Sequence, residues 1–208
     1  PPGITPRLVP IGPDGAQFAP GEQPQMRDYT PRAYDVDAGT LDLDFVLHGD
    51  GPAARWAAQA AVGQTLVIGG PRGSLLIPTN FDWYLLVGDE TAIPALARRM
   101  AELPAAARVL TVIEVKDPAE HHPFPGMADV SLTYLYRHGR PAGTTSLILD
   151  RLRVTRFPAG TAHAFVAGEA GMSKAVRAHL TEERGFNPDY VRAAGYWLLG
   201  AADAQQDH

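Results

Sequence analysis

The sequence predicts two domains of different class: a β-rich antiparallel segment over residues 1–80 and a doubly wound α/β segment with a parallel sheet over residues 81–208. Three observations predict this. Apolar and polar residues alternate at Arg27–Tyr34 and again at Leu41–His48, as in half-buried antiparallel strands. From Trp83 onward, short apolar runs alternate with helical patterns, the βαβ signature of a sheet covered on both faces. The change from one pattern to the other falls near residue 80.

The elements follow in order. Residues 1–26 are crowded with proline and glycine and lack periodicity, which predicts a loop-like lead-in with no chemistry of its own. After the two alternating strands, Gly51–Ala58 reads as a short helix with proline in its first turn, and Thr65–Ile68 as a further strand. In the second half Trp83–Val87, Val109–Val115, Ser131–Leu135 and His163–Ala167 read as strands, with a final one at Ala194–Leu199. Helices fill Thr91–Leu103, Thr145–Leu152 and Glu169–Arg184.

Composition narrows the chemistry. The chain has 208 residues, 45% of them hydrophobic and 20% charged, enough to bury a sizeable core. With a formal net charge of −5 and scattered basic residues, it lacks the footprint of a nucleic-acid binder. There is no cysteine, which excludes disulfides, thiolate catalysis and thiolate-held metal centres, so redox chemistry requires a bound organic cofactor or a metal with other ligands. No apolar run approaches the roughly 20 residues of a membrane span, and no charged-then-apolar leader opens the sequence, so the expectation is a cytoplasmic protein.

Two strand ends carry the first functional signal. Leu85-Leu86-Val87-Gly88-Asp89-Glu90-Thr91 runs from a buried strand through a glycine turn into a helix, whose backbone N–H groups and positive dipole end can face a phosphate. Phe165-Val166-Ala167-Gly168-Glu169 repeats the arrangement, and ligands of open parallel sheets gather at such carboxyl ends. Neither is a G-x-G-x-x-G fingerprint, and a glycine here also serves as ordinary turn chemistry.

The β-rich half carries Arg27-Asp28-Tyr29-Thr30-Pro31-Arg32. On a strand Arg27, Tyr29 and Pro31 would share one face, offering a fork for a pyrophosphate and a ring for stacking, while Thr30 offers a hydroxyl; an exposed edge strand with ordinary charges fits the same residues.

Arg-x-Tyr-Thr resembles the flavin strand of the ferredoxin–NADP reductase superfamily, and five further segments follow in the order seen in the siderophore-interacting protein family. These are Asp44–Ala57 (Asp-Phe-Val-Leu-His-Gly-Asp-Gly-Pro-Ala-Ala-Arg-Trp-Ala), Gly70-Pro71-Arg72-Gly73-Ser74, Asp82–Ala95, Ala167-Gly168-Glu169-Ala170 and Gly195-Tyr196-Trp197. The resemblance implies an FAD-dependent ferric-siderophore reductase with NADH or NADPH as donor and a flavin-binding antiparallel β-barrel. Because the flavin motif arrives at residue 27 after a coil-like lead-in, that barrel is expected to lack its first strands.

Residue by residue, the resemblance implies that Arg27 meets the FAD pyrophosphate, Tyr29 packs on the flavin or ribityl chain, and Thr30 reaches the flavin edge. His48, Ala53 and Ala54 would hold the adenine side, and Gly73 and Ser74 would complete the pyrophosphate site. Gly88, Asp89, Glu90, Thr91, Gly168 and Glu169 would line the NAD(P)H site, with Trp197 near the flavin. No residue is expected to act as nucleophile or general base, since the cofactor carries the chemistry.

Lys116 and Lys174 are the only lysines. Lys174, with Arg72 and Arg137 next in line, is the candidate for an anionic ferric siderophore; Arg137 and Arg140 also suit a 2′-phosphate or a solvated loop. Glu114 closes a strand where a carboxylate can hold a ribose hydroxyl or simply face solvent. Trp56 and Trp83 fit core positions as well as ligand contacts, and His121-His122 without a third ligand assigns no metal site. Relatives often carry a basic residue after Tyr-Trp where this chain has Leu198-Leu199, which bears on substrate choice. Two alternatives share these features: a general flavin reductase or ferredoxin-type electron-transfer enzyme, and a non-catalytic nucleotide-binding module.

Overall fold

The computed structural model describes residues 26–47, 51–70, 76–124 and 129–201, with the backbone alone of 11–12 and 15–16. His48, Arg72, Gly73 and Ser74 lie outside the described residues. Contacts divide the chain into two compact units, Pro1–Asp28 with Leu47–Ile77, and Tyr29–Val46 with Pro78–His208.

The first unit contains an antiparallel pair, β1 (Ile11–Gly12) and β2 (Gly15–Ala16), and helix α1 (Pro52–Ala58). Proline at its start suits α1, because the first helical N–H has no intrahelical acceptor to lose. The expected strand at Thr65–Ile68 does not form. Leu66, Val67 and Ile68 are 42%, 67% and 56% exposed, and a strand exists only where a neighbour takes up its backbone hydrogen bonds; none of the described residues does so.

In the second unit β3 (Pro31–Asp35) pairs antiparallel with β4 (Thr40–Leu43), and Arg32 bridges to Asp42 and Asp44 at 3.0 and 3.2 Å. Pairing begins only at Pro31, with a register shift between Pro31 and Ala33, so the expected two-face alternation does not run through residues 27–30. A proline cannot donate to a ladder, and the residue before it is forced extended without being paired.

The same unit holds one five-stranded parallel sheet in the order β7-β6-β5-β8-β9, made of β5 (Trp83–Asp89), β6 (Arg108–Val115), β7 (Asp129–Tyr136), β8 (Ala162–Glu169) and β9 (Val191–Trp197). The chain winds outward from β5 through α2 (Ile93–Glu102) to β6 and β7. It then crosses back by α3 (Leu147–Val154) to β8 and by α4 (Ala170–Ala178) to β9. The direction reverses between β5 and β8, whose carboxyl ends form the topological switch point. All seven residues of β5 are buried, as a strand covered on both faces must be.

Period-two alternation sorts the sheet. Trp83, Leu85 and Val87 pack with Val112, Val166, Ile148, Leu152, Val176 and Leu180 against α3 and α4. The opposite face carries Gly88, against Ala92 and Leu96, and Phe165, beneath the Arg99 guanidinium of α2 at 3.7 Å. Trp83 is a core residue, stacked 5.5 Å from Phe157 and edge-on to Phe186. Two expected boundaries move. The last strand starts at Val191, because its register with β8 begins at Ala164, and the chain turns back at Gly200 (φ +81°) with Leu198 bridged to Ala201. After α4 the chain makes one π-turn at His179–Glu183 in place of further α-helix. Among the described residues no helix is long and apolar enough to cross a membrane.

Candidate functional site at the carboxyl edge of the sheet

Four carboxylates gather where the strands end: Asp89 ending β5, Glu90 one residue on, Glu114 near the end of β6 and Glu169 ending β8. Asp89, Glu114 and Glu169 are each 6% exposed. Such burial is tolerable only if donors converge on each carboxylate.

For Asp89 they come from three elements. Oδ1 accepts from the Thr91 backbone N–H at 2.9 Å and from the Thr91 hydroxyl, while Oδ2 accepts from the Glu169 N–H at 2.9 Å and the Trp197 indole N–H at 2.8 Å. Burial pushes this carboxyl above the usual range, and the hydrogen bonds from Thr91, Trp197 and Glu169 pull the other way. Three of the four partners are N–H groups, which donate only, and the fourth is the Thr91 hydroxyl, which can donate to a carboxylate or accept from a protonated carboxyl.

Glu90 accepts both guanidinium arms of Arg137, one at 2.8 Å, and the Lys116 backbone N–H at 2.8 Å. Glu114 accepts from the Thr145 hydroxyl at 2.5 Å and lies 3.8 Å from Arg137. Burial raises the Glu114 pKa, opposed by Thr145 and Arg137. Burial likewise works against the Arg137 charge, but Glu90, Glu114 and Asp89 outweigh it, leaving the guanidinium above its ordinary pKa. The expectations of Arg137 on a solvated loop or open to a ligand phosphate are therefore corrected: it is 6% exposed and engaged by Glu90 and Glu114. Glu114 likewise is buried rather than solvated.

The phosphate-cradle reading of the two turns also changes. Asp89 caps the short 3-10 turn Glu90–Ala92 ahead of α2, and Glu169 caps α4 by accepting from the Met172 N–H at 2.8 Å. Each helix start already holds a carboxylate of the chain itself, and an incoming phosphate meets repulsion where a free dipole would attract it. The glycines answer to sterics: a Cβ on Gly88 would lie 2.5 Å from Ala92 Cβ and 2.6 Å from the Ala167 carbonyl oxygen. Gly168 (φ +140°) admits the Asp89 carboxylate, which a Cβ would meet at 2.6 Å.

The flavin candidates are distributed as follows. Arg27 is exposed and donates to the Met26 carbonyl; Ala53 is half-buried and Ala54 buried on α1. Tyr29, 37% exposed, has Phe45 at 4.4 Å between ring centroids, and the Thr30 side chain lies near enough to Tyr196 of β9 to lower its pKa. An aromatic face backed by a second ring, next to a fixed hydroxyl, fits a planar heterocycle such as a flavin. Burial raises the Tyr196 pKa, against the Thr30 hydrogen bond and the nearby Arg99 charge. Lys174 is exposed on α4, just past its first turn.

Sequence reasoning missed Tyr196, Thr145 and Gly143. Gly143 (φ +73°) would place a Cβ 2.8 Å from the Trp197 ring, so its absence of side chain lets the indole lie down. The signal was the glycine-rich run after β7, where His138 (φ +48°) and Gly139 also adopt left-handed backbone. His121 bonds Tyr136 at 2.6 Å and stacks on Tyr134, and among the described residues no group of three or more His, Cys, Asp or Glu could hold a metal.

Comparisons agree with this architecture. A family model described as "Siderophore-interacting protein" matches residues 81–200, and one described as "Siderophore-interacting FAD-binding domain" matches residues 2–75. The chain is 33% identical to the NADPH-dependent ferric-chelate reductase of Escherichia coli, over 88% of this chain and 70% of that protein. It is 32% identical to the ferric vibriobactin reductase ViuB of Vibrio cholerae, over 87% and 67%. The solved structure of a siderophore utilization protein from T. fusca superposes with a TM-score of 0.86 at 40% identity, covering 96% of this chain and 76% of that one. A ferredoxin-NADP+ reductase from Plasmodium falciparum shares the fold at 10% identity and a TM-score of 0.63.

Proposed function

Because the chain belongs to the siderophore-interacting protein family, we propose that it is a flavin-dependent ferric-siderophore reductase working in the cytoplasm. When bound, FAD supplies the chemistry of accepting a hydride from NADH or NADPH and delivering electrons singly to Fe(III) in its chelate. Iron then leaves as Fe(II), which hard-oxygen chelators hold less strongly.

The observation that carries this reading is a short path through β9. Thr30, the residue proposed to face the flavin edge, lies near enough to Tyr196 to lower its pKa; the next residue, Trp197, donates its indole N–H to Asp89 at the switch point of the sheet. The residue proposed for the flavin edge and the strand end proposed for the donor thus adjoin consecutive residues of one strand, which supports transfer between a nicotinamide and a flavin.

The protein's own residues act as positioners. Tyr29 and Thr30 orient the flavin, Arg27 holds its pyrophosphate, Ala53 and Ala54 with His48 hold the adenine side, and Gly73 and Ser74 complete the phosphate contacts. Gly88, Asp89, Glu90, Thr91, Gly168, Glu169 and Trp197 form the wall against which the nicotinamide donor is placed. The buried carboxylates keep that wall rigid rather than binding phosphate. The β-rich residues 1–80 serve the flavin and residues 81–208 the donor. Lys174, exposed beside this edge, is the cation for an anionic ferric siderophore, with Arg72 a second.

The test is the absorbance spectrum of protein supplied with FAD and freed of excess. A retained flavin spectrum, with Arg27→Ala weakening retention by about 1.5–3 kcal/mol, the scale of a charge-assisted hydrogen bond, supports the assignment. Undiminished affinity in that variant removes Arg27 from the site.

A further inference from the structure

The buried Asp89 carboxyl collects four hydrogen bonds from three separate elements, and one of its half-buried partners is the Trp197 indole. We infer that Asp89 is a positioning residue that acts through Trp197: it fixes the indole at the sheet's carboxyl edge and so sets the geometry in which the nicotinamide donor reacts. This rests on reading that edge as the donor site.

A structural role alone does not call for this residue. β5 and β8 are already joined by a parallel ladder from Trp83 to Gly88, and a serine, threonine or asparagine would cap the 3-10 turn as well. No single hydroxyl or amide oxygen can accept the N–H groups of all three elements at once, and burying a carboxyl group is costly unless each partner is in place. The chain makes room for it at a glycine. Gly168, in a backbone conformation that disfavours side chains, leaves space for the carboxylate.

Trp197 is held on its other sides as well. Gly143, also in left-handed backbone, leaves space for the ring edge, and the Glu169 carboxylate that caps α4 accepts the Leu199 N–H at 3.3 Å. The indole is thus fixed at its N–H by Asp89, at its ring edge by Gly143 and in its backbone direction by Glu169. An amide at residue 89 keeps one acceptor oxygen but sets an NH2 group against one side of the N–H donors, which loosens the hold on the indole and leaves the ring a hinge to turn on.

Indole N–H resonances of 15N-labelled protein, together with stopped-flow reduction of the flavin, test this. The Trp197 signal is identified by its loss in Trp197→Phe. In Asp89→Asn it should move, and its exchange with solvent should quicken about ten- to hundredfold, the equilibrium equivalent of one charge-assisted hydrogen bond. Flavin reduction at saturating NAD(P)H should slow by a similar factor, with reduction by dithionite unchanged, since only the donor depends on the wall. Trp197→Phe, which keeps a ring but loses the donor, should slow the same step, and the double variant should slow it no further.

An unmoved indole signal in Asp89→Asn overturns the inference, as does a moved signal with unchanged donor kinetics, or additive losses in the double variant. If Asp89→Asn does not fold, Trp197→Phe decides: wild-type donor kinetics in that variant overturn the inference, and a selective loss supports it. A wild-type protein whose flavin NAD(P)H does not reduce fails the donor reading itself, a result separate from any of these.

Discussion

The two ends of the parallel sheet are built on opposite principles. At the amino end the closures are apolar and aromatic. Trp83 stacks on Phe157 and meets Phe186 edge-on, Phe81 and Tyr84 flank His163, and Tyr190 lies edge-on to Phe81. At the carboxyl end the closures are charged: three buried carboxylates with Glu90, one buried arginine, and glycines cut away to admit them. Apolar packing is non-directional and tolerant, whereas a buried carboxylate is stable in one arrangement of donors. The second design suits a surface that must hold a reacting ligand in one pose. Tolerant packing closes one end, and fixed orientation the other.

The largest effects should show this contrast. Trp83→Ala and Arg137→Met should each cost about 3–5 kcal/mol in denaturant unfolding, the first by leaving a cavity and the second by leaving Glu90 and Glu114 without their cation. Adding Glu90→Gln should recover part of the Arg137→Met loss, and no charge change near the edge should rescue Trp83→Ala. Equal rescue of both would erase the distinction between the ends.

Acid should separate them by sign. Burial, with the nearby Arg99 charge, lowers the His163 pKa from 6.5 to about 4. The unfolded chain therefore takes up this proton first, and the stability tied to His163, complete above its unfolded value, is lost as pH falls from 6.5 toward 4. Burial raises Glu114 instead, so its contribution has the reverse sign, a penalty relieved as pH falls through its folded value. Urea unfolding across that range should show a shallower acid loss in His163→Phe than in the wild type. Parallel curves would mean His163 is not the group that titrates.

The smallest effect belongs to the exposed cation. Lys174→Ala should raise the apparent KM for an anionic ferric chelate about two- to fivefold at low salt, less at high salt, and leave a neutral quinone acceptor unaffected, because water and ions screen such a charge. A response shared by both acceptors would make Lys174 an ordinary solvated helix residue.

Much of the fold was legible because it rests on local periodicity. The apolar runs at Trp83–Val87 and His163–Ala167 sit inside β5 and β8, and Pro52 marks the start of α1. Thr65–Ile68 failed for a reason periodicity cannot see, since an apolar run becomes a strand only with a partner. The site was legible in part. The glycine turns at Gly88 and Gly168 do mark the carboxyl edge, yet Gly88 is fixed by contact with Ala92 and Ala167, so a bulky substitution there would damage the sheet before testing nucleotide binding. The pairing of Glu90 with Arg137 spans 47 residues, and that of Asp89 with Trp197 spans 108. No local pattern encodes such distances; the winding of the sheet creates them.

The central claim is that one chain carries electrons from a nicotinamide through a flavin to chelated iron. Anaerobic stopped-flow absorbance on FAD-loaded protein tests it most directly. Mixing with NADPH or NADH should bleach the flavin band, and a second mix with a ferric siderophore should restore it while a ferrous-specific chelator takes up the released iron. A flavin that NAD(P)H reduces but that the ferric chelate does not reoxidise would contradict the assignment and leave a general flavin reductase in its place.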